Sequence, residues 1–185
     1  MHPVRVAYWL VMAGAGLQLG QAGAAAWLLL RYDGVVERLG PWSRIEAMLI
    51  ETVYVHLLGA FVLAAGLCVL LSGAAMAVPR RSPYTRGVVG WVLLLVVLAL
   101  LLGVVYSPDS VLLPDNQRQL DHLQPLLPLW YTAVQGIAVI GAIGLSVLAV
   151  LRLAREEAGE YYHRRHDPTA TWRGFTSWLD MRFQD

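Results

Sequence analysis

Four long apolar runs constrain the fold of this chain more than any other feature. They lie at residues 6–30, 52–78, 87–106 and 128–151. A helix needs about 20 apolar residues to cross ~30 Å of hydrocarbon. Because backbone polar groups have no water to bind in lipid, each run must satisfy them internally as a helix. The sequence therefore predicts an all-α integral membrane protein with four transmembrane helices.

The charge content supports lipid as the main solvent of this chain. Only 15% of the residues are charged, whereas soluble domains have about 25%. The formal net charge is +1, so nothing in the total favours a polyanion such as nucleic acid as a partner. The expected partner is the lipid bilayer, and we also expect bound lipids.

The arginines predict the orientation of the four helices. All 14 basic residues are arginine, and ten of them lie before residue 6, between residues 79 and 86, or after residue 151. Positive residues are enriched on the cytoplasmic side of membrane proteins. We therefore expect both termini in the cytoplasm, in the plasma membrane of a bacterium or an archaeon.

Outside the transmembrane domain, residues 1–152, the sequence predicts a cytoplasmic tail, residues 153–185. Residues 171–183 have the apolar spacing of an amphipathic helix. Such a face docks on a membrane surface or on a partner subunit. The predicted docking residues are Trp172, Phe175, Trp178, Leu179 and Phe183.

Small residues mark possible helix interfaces, because lipid gives no hydrophobic drive for association and close approach needs small side chains. Gly16 and Gly20 form a GxxxG pattern in the first run, and Gly59, Gly66 and Gly73 follow at steps of seven in the second. A step of seven keeps residues on one face of a helix. These five glycines are predicted to pack against other helices of this chain or of a partner subunit.

Among histidine, arginine, aspartate and glutamate, His56 is the one residue inside an apolar run, and such residues are candidate functional sites. In one interpretation its imidazole binds haem iron or chlorophyll magnesium, although the runs contain no second histidine for a bis-histidine haem. In another, His56 lines a quinone or proton site with Glu51 and Tyr54 near the outer surface.

In a third interpretation His56 only stabilises packing, through a hydrogen bond to a neighbouring helix. The candidate partners are Gln18, Gln21 and Gln135. The same explanation accounts for the three glutamines themselves, since interhelical hydrogen bonds contribute about 0.6 kcal/mol each. All three interpretations remain open from the sequence.

The sequence contains no phosphate-binding loop, nucleophile elbow, zinc-protease motif or cysteine–histidine metal cluster. We therefore expect neither an enzyme nor a metal site. The function predicted first is a non-catalytic accessory subunit of a larger membrane complex, of the respiratory or photosynthetic electron-transport kind, among other integral membrane subunits. The alternatives are a redox anchor that binds haem, chlorophyll or quinone near His56, and a small transporter or channel.

Overall fold

The computed structural model describes residues 3–80, 84–105, 107–108, 124–155, 158 and 162. Within these residues the chain is helical, which confirms the all-α prediction. The four α-helices are α1 (Pro3–Leu39), α2 (Arg44–Ala77), α3 (Thr85–Val105) and α4 (Leu129–Ala154), and a 3₁₀ helix (Gln124–Leu126) precedes α4. The predicted tail helix, residues 171–183, and its docking residues lie outside the described residues.

The first two helices extend past the predicted apolar runs into polar sequence. Helix α1 continues to Leu39 and stops before Gly40-Pro41, because proline disfavours helical backbone in the residue before it. Helix α2 begins at a capping box, in which the Glu46 backbone N–H donates to Ser43 Oγ at 3.3 Å and the Ser43 N–H donates to Glu46 Oε2 at 2.9 Å. The Ser43–Glu46 spacing predicts this start from the sequence alone.

Three of the described helices, α2, α3 and α4, are long and apolar enough to cross a membrane. This finding indicates a membrane protein. Helix α1 is long enough, but glutamine and glycine in its middle lower its hydropathy below that of the other three. The fourth crossing and the cytoplasmic placement of both termini stay predictions.

Each helix packs against two others. Helix α1 makes the most extensive contacts, with α2 and α4, and α3 closes the bundle by contacting α2 and α4 on the other side. Helix α3 also has the smallest buried share of the three apolar helices. That agrees with its sequence, which is mostly bulky and apolar on all sides.

The interior contains two apolar clusters, one towards each end of the bundle. The first cluster includes Leu71 of α2 and Leu93 of α3, and the second includes Leu57 of α2 and Tyr131 of α4. On α1 the first cluster ends at Ala15, and the second begins ten residues later. The stretch between the clusters holds three buried glutamines, Gln18, Gln21 and Gln135.

The five glycines predicted at helix interfaces make no close contact with the other helices of this chain. A Cβ built on any of Gly16, Gly20, Gly59, Gly66 and Gly73 would meet no atom within 4 Å. The reason is that large side chains on the opposite face of α2, among them Leu57, Leu67 and Leu71, make its contacts inside the bundle. Contact of these glycines with another chain stays a prediction.

Two other glycines allow the close approach between helices. A Cβ on Gly141 of α4 would lie 2.6 Å from Leu17 Cδ1 of α1, and a Cβ on Gly103 of α3 would lie 2.7 Å from Leu63 Cδ2 of α2. Both distances are too short for real atoms. The atom met at each position is the end of a leucine side chain, so a side chain added at either glycine must displace that leucine.

Replacing Gly141 with Leu is expected to destabilise the bundle by about 1–3 kcal/mol, the usual cost of overpacking. The new side chain would force Leu17 out of its place between α1 and α4. Gly144→Leu is the matched control, because Gly144 lies one turn further on α4 and has open space around it. Thermal unfolding in mild detergent, followed by circular dichroism, measures both variants, and equal midpoints would contradict the close α1–α4 approach.

Candidate ligand-binding cavity

Three buried glutamines form a polar layer between the two apolar clusters. Gln18 and Gln21 of α1 and Gln135 of α4 are 1%, 5% and 7% exposed. Gln18 and Gln21 lie on a stripe of buried residues on α1, and Gln135 lies on the corresponding stripe of α4. The helical spacing of these stripes brings the three amides together inside the bundle.

The polar layer leaves hydrogen-bonding capacity unused. Gln18 Nε2 donates to the Ala138 carbonyl oxygen across the α1–α4 interface at 3.3 Å. The Oε1 atoms of Gln18, Gln21 and Gln135 are buried and have no hydrogen-bond partner among the described residues. Leaving a buried polar group unpaired costs about 1–3 kcal/mol, so this layer is costly unless another molecule completes it.

A cavity of about 560 Å³ adjoins the polar layer. All four helices contribute to its walls, which hold the three glutamines, His56 and otherwise apolar or small residues. Val55 and Gly59 of α2 and Leu102 of α3 lie on its walls and are exposed. The cavity therefore opens between α2 and α3 onto the outer surface of the bundle, and its size falls in the range of small-molecule sites.

His56 lies at the wall of this cavity in a defined orientation. Its Nδ1 is 2.8 Å from the Thr52 carbonyl oxygen, one turn earlier on the same helix. A carbonyl oxygen only accepts hydrogen bonds, so Nδ1 carries a proton and donates to it. The packing interpretation expects a hydrogen bond from His56 to a neighbouring helix. The hydrogen bond that the structure gives His56 stays within α2.

Of the three residues predicted around the outer site, the structure places Glu51 and His56 beside one cavity and Tyr54 elsewhere. Glu51 is exposed and lines a shallow cavity of about 290 Å³ that also includes His56. Tyr54 lies on another face of α2, where its ring is 5.3 Å from the ring of Tyr32. His56 is therefore the member of this group that adjoins both the shallow cavity and the large one.

Aromatic residues fix the ends of α1 and α2 near the cavity. The Tyr32 hydroxyl donates to the Ile50 carbonyl oxygen at 2.6 Å. Burial, together with the nearby Asp33 carboxylate, raises the pKa of this hydroxyl, so it stays a hydrogen-bond donor well above neutral pH. Trp27 and Trp130 meet edge to face with ring centroids 5.5 Å apart, which links α1 to α4 at the same end.

A second cavity of about 530 Å³ runs between α3 and α4 at the other end of the bundle. Its walls are mainly apolar, with Trp91 and Ser146 among them, and Arg86 lies at its edge. One guanidinium nitrogen of Arg86 donates to the Ala154 carbonyl oxygen at 2.9 Å, which stabilises the C-terminal turn of α4. The apolar walls suit an acyl chain, so the bound lipid expected from the sequence would fit here.

The polar groups on the walls of the large cavity are hydrogen-bonding side chains. Among the described residues, no group of three or more histidine, cysteine, aspartate and glutamate side chains is placed to hold a metal ion. Cys68 is a free thiol on α2 and does not line the large cavity. The cavity offers one imidazole and three amides, which recognise ligands by hydrogen bonds.

Comparisons with protein-family models, with curated proteins and with solved structures give no match for this chain. The candidate site therefore rests on its own geometry.

Proposed function

We propose that the protein binds a small amphipathic ring molecule of the quinone class in the cavity beside His56. The observation that carries this proposal is the polar layer: three buried amides with unpartnered oxygens border an otherwise apolar cavity. A ligand site in a protein is usually such an apolar space with a few polar groups that fix orientation. A quinone-type ring has apolar faces and polar groups on its edge, and it matches both features.

The residues of the cavity favour this class over a six-coordinate haem. A tetrapyrrole metal needs an axial ligand, and a six-coordinate haem needs two. His56 is the single imidazole of the cavity walls, and no cysteine or methionine lines them. The three glutamines have no role in holding a metal, whereas each has an obvious role in holding a hydrogen-bonding ring.

The route into the cavity also fits a lipid-soluble ligand. The opening between α2 and α3 is bordered by exposed apolar side chains, including Val55 and Leu102. In a membrane, these side chains would face lipid rather than water. A ligand with an apolar tail would enter sideways and leave its tail between the helices or in the bilayer.

The test is to purify the full-length protein in mild detergent, extract it with organic solvent and identify the bound small molecules by mass spectrometry. Direct binding is then measured by equilibrium dialysis with a decyl-substituted benzoquinone and its quinol in lipid nanodiscs. We expect saturable binding of at least one of the two with one site per chain. The proposal fails if the extract contains lipids alone and neither probe binds.

We propose further that the chain crosses the membrane four times, with both termini in the cytoplasm of a bacterium or an archaeon. The distribution of arginine supports this orientation. Reporter fusions at residue 185 and within residues 109–123 provide the test. A reporter active only in the cytoplasm should work at the first position and fail at the second, and the reverse pattern would overturn the orientation.

A second candidate function is that of an accessory subunit in a membrane complex, including one for electron transport. Its support is the outward face of α1, where Gly16 and Gly20 have open space around them. Small residues that contact nothing within the chain permit close packing of a helix from another subunit.

Gly16→Ile and Gly20→Ile are expected to reduce co-purification of such a subunit from native membranes at least severalfold, because the larger side chains keep its helix away. Gly34→Ile, also on α1 in open space but outside the predicted span, is the control. Partner chains are quantified by mass spectrometry of the fraction purified in mild detergent. Unchanged recovery in the Gly16 and Gly20 variants would remove the support for this surface.

A further inference from the structure

We infer that the second cavity, between α3 and α4, binds one phospholipid with a net negative headgroup, whose phosphate lies at Arg86 and Arg155 and whose acyl chain follows the helices. This cavity of about 530 Å³ shares no wall residue with the cavity beside His56. It opens on the outer surface of the bundle, because Trp91 and Leu151 on its walls are 69% and 58% exposed. In a membrane that surface faces lipid, so the bilayer supplies the ligand.

The length of the second cavity matches one leaflet of a membrane. On α3 the walls extend over eleven residues, from Arg86 to Val97, which is about 16 Å of helix and about half of the ~30 Å hydrocarbon thickness. The cavity ends at Arg86, which directly precedes the third apolar run, and at Leu151, which ends the fourth. This end therefore lies at the boundary of the hydrocarbon, where phospholipid headgroups begin.

The walls of the second cavity suit an alkyl chain. Apart from Arg86 and Ser146, they consist of apolar side chains and glycine. Gly87 and Gly90 lie three residues apart on α3, and a Cβ built on either would meet no atom within 4 Å. The space beside these glycines is left to a ligand, and the apolar walls offer it dispersion contacts along its length.

Two arginines lie at the polar end of the second cavity. One guanidinium nitrogen of Arg86 donates to the Ala154 carbonyl oxygen of α4 at 2.9 Å, and Arg155 is the next residue in the chain. Arg155 also follows Leu151 of the cavity wall by four residues, about one helical turn. A guanidinium has five N–H donors, so Arg86 keeps donors for a phosphate besides the one that Ala154 accepts.

The charge at this end favours an anionic headgroup over a zwitterionic one. The described residues at this end include five arginines and no aspartate or glutamate. They are residues 3–12, 78–80, 84–94 and 144–155. In the sequence, Glu156 and Glu157 follow Arg155 and Arg81 follows Arg80, so an excess of positive charge remains. Arginine repels the ammonium group of a zwitterionic headgroup, and basic pockets between transmembrane helices select anionic lipids.

The test uses the fluorescence of Trp91, which lies on the wall of the second cavity and is quenched by brominated acyl chains in contact with it. Full-length protein in phosphatidylcholine nanodiscs receives increasing fractions of dibrominated phosphatidylglycerol or dibrominated phosphatidylcholine. The Trp91 signal is the difference between the parent protein and Trp91→Phe. We expect half-maximal quenching at an at least about fivefold lower fraction of phosphatidylglycerol, as one arginine near an anionic lipid implies.

Three variants connect the preference to this end of the cavity. Arg86→Gln and Arg155→Gln should each lower the preference for phosphatidylglycerol severalfold. Arg155→Gln leaves the hydrogen bond from Arg86 to Ala154 in place, so the test stands even if Arg86→Gln fails to fold. Arg38→Gln is the matched control, since Arg38 is an exposed arginine at the C-terminal end of α1, and it should keep the full preference.

Each other outcome overturns the inference. Equal half-quenching fractions for the two lipids exclude a site for anionic lipid. A preference that both variants at the cavity retain, or that Arg38→Gln loses to the same extent, shows attraction by the overall charge of the protein. Displacement of the brominated lipid by glycerol phosphate, beyond that by sodium chloride of equal ionic strength, shows a site for soluble phosphates. None of these outcomes bears on the quinone-class site, which has its own binding assay.

Discussion

Replacing Gly59 with Trp is expected to raise the dissociation constant of the quinol probe at least about 100-fold, because the indole takes the volume that the ring of the ligand needs. Gly59 lies on the cavity wall, and a Cβ built there meets no atom within 4 Å. The new side chain therefore fills space instead of displacing a helix. Equilibrium dialysis in nanodiscs measures the loss.

Gly66→Trp is the matched control for this prediction. Gly66 lies seven residues further along the same outward face of α2, has equally open surroundings and does not line the cavity. Both variants should unfold at nearly the temperature of the parent protein. If Gly59→Trp folds and binds the probe as the parent does, the cavity is not the binding site.

Replacing Tyr131 with Ala is expected to destabilise the bundle by about 3–5 kcal/mol, the usual cost of removing a buried aromatic ring. Tyr131 is fully buried in the second apolar cluster with Leu57, Leu126 and Leu127. It joins α4 to α2 and to the 3₁₀ helix, so its loss leaves a void where three elements meet. Chemical unfolding in mixed detergent micelles, followed by circular dichroism, measures the change.

Leu129→Ala is the control for Tyr131, since Leu129 begins the same helix and is 73% exposed. It should cost far less, because its side chain contacts little of the bundle. Tyr131→Phe keeps the ring and should recover most of the stability. Similar losses in Tyr131→Ala and Leu129→Ala would contradict the packing of α4 at this end.

The sequence predicts the helices well because their signals are local. Long apolar runs and the Ser43–Glu46 capping box depend on neighbouring residues, and the structure has both. The first apolar run ends at residue 30 and does not predict that α1 extends to Leu39. Hydropathy marks the apolar part of a helix, whereas the helix ends where its backbone hydrogen bonds end.

The site is harder to predict because it depends on which faces meet. The sequence singles out Gln18, Gln21 and Gln135, but as packing residues. One signal does place Gln18 on the inner face of α1. It recurs at a spacing of seven with Val11 and Ala25, and all three are buried. No comparable local signal shows that the glycines of α2 face outward, since an inward and an outward stripe of small residues have the same spacing.

The polar layer also fixes how far the helices are shifted along one another. If α1 slid one turn, about 5.4 Å, past α4, the Gln18 amide would leave the Ala138 carbonyl oxygen and meet the apolar side chains of a neighbouring cluster. Apolar side chains alone specify such a shift poorly, because one leucine replaces another at little cost. A polar level of this kind in a largely apolar bundle specifies the register of its helices, and the same amides that we assign to ligand binding set the vertical alignment of α1 against α4.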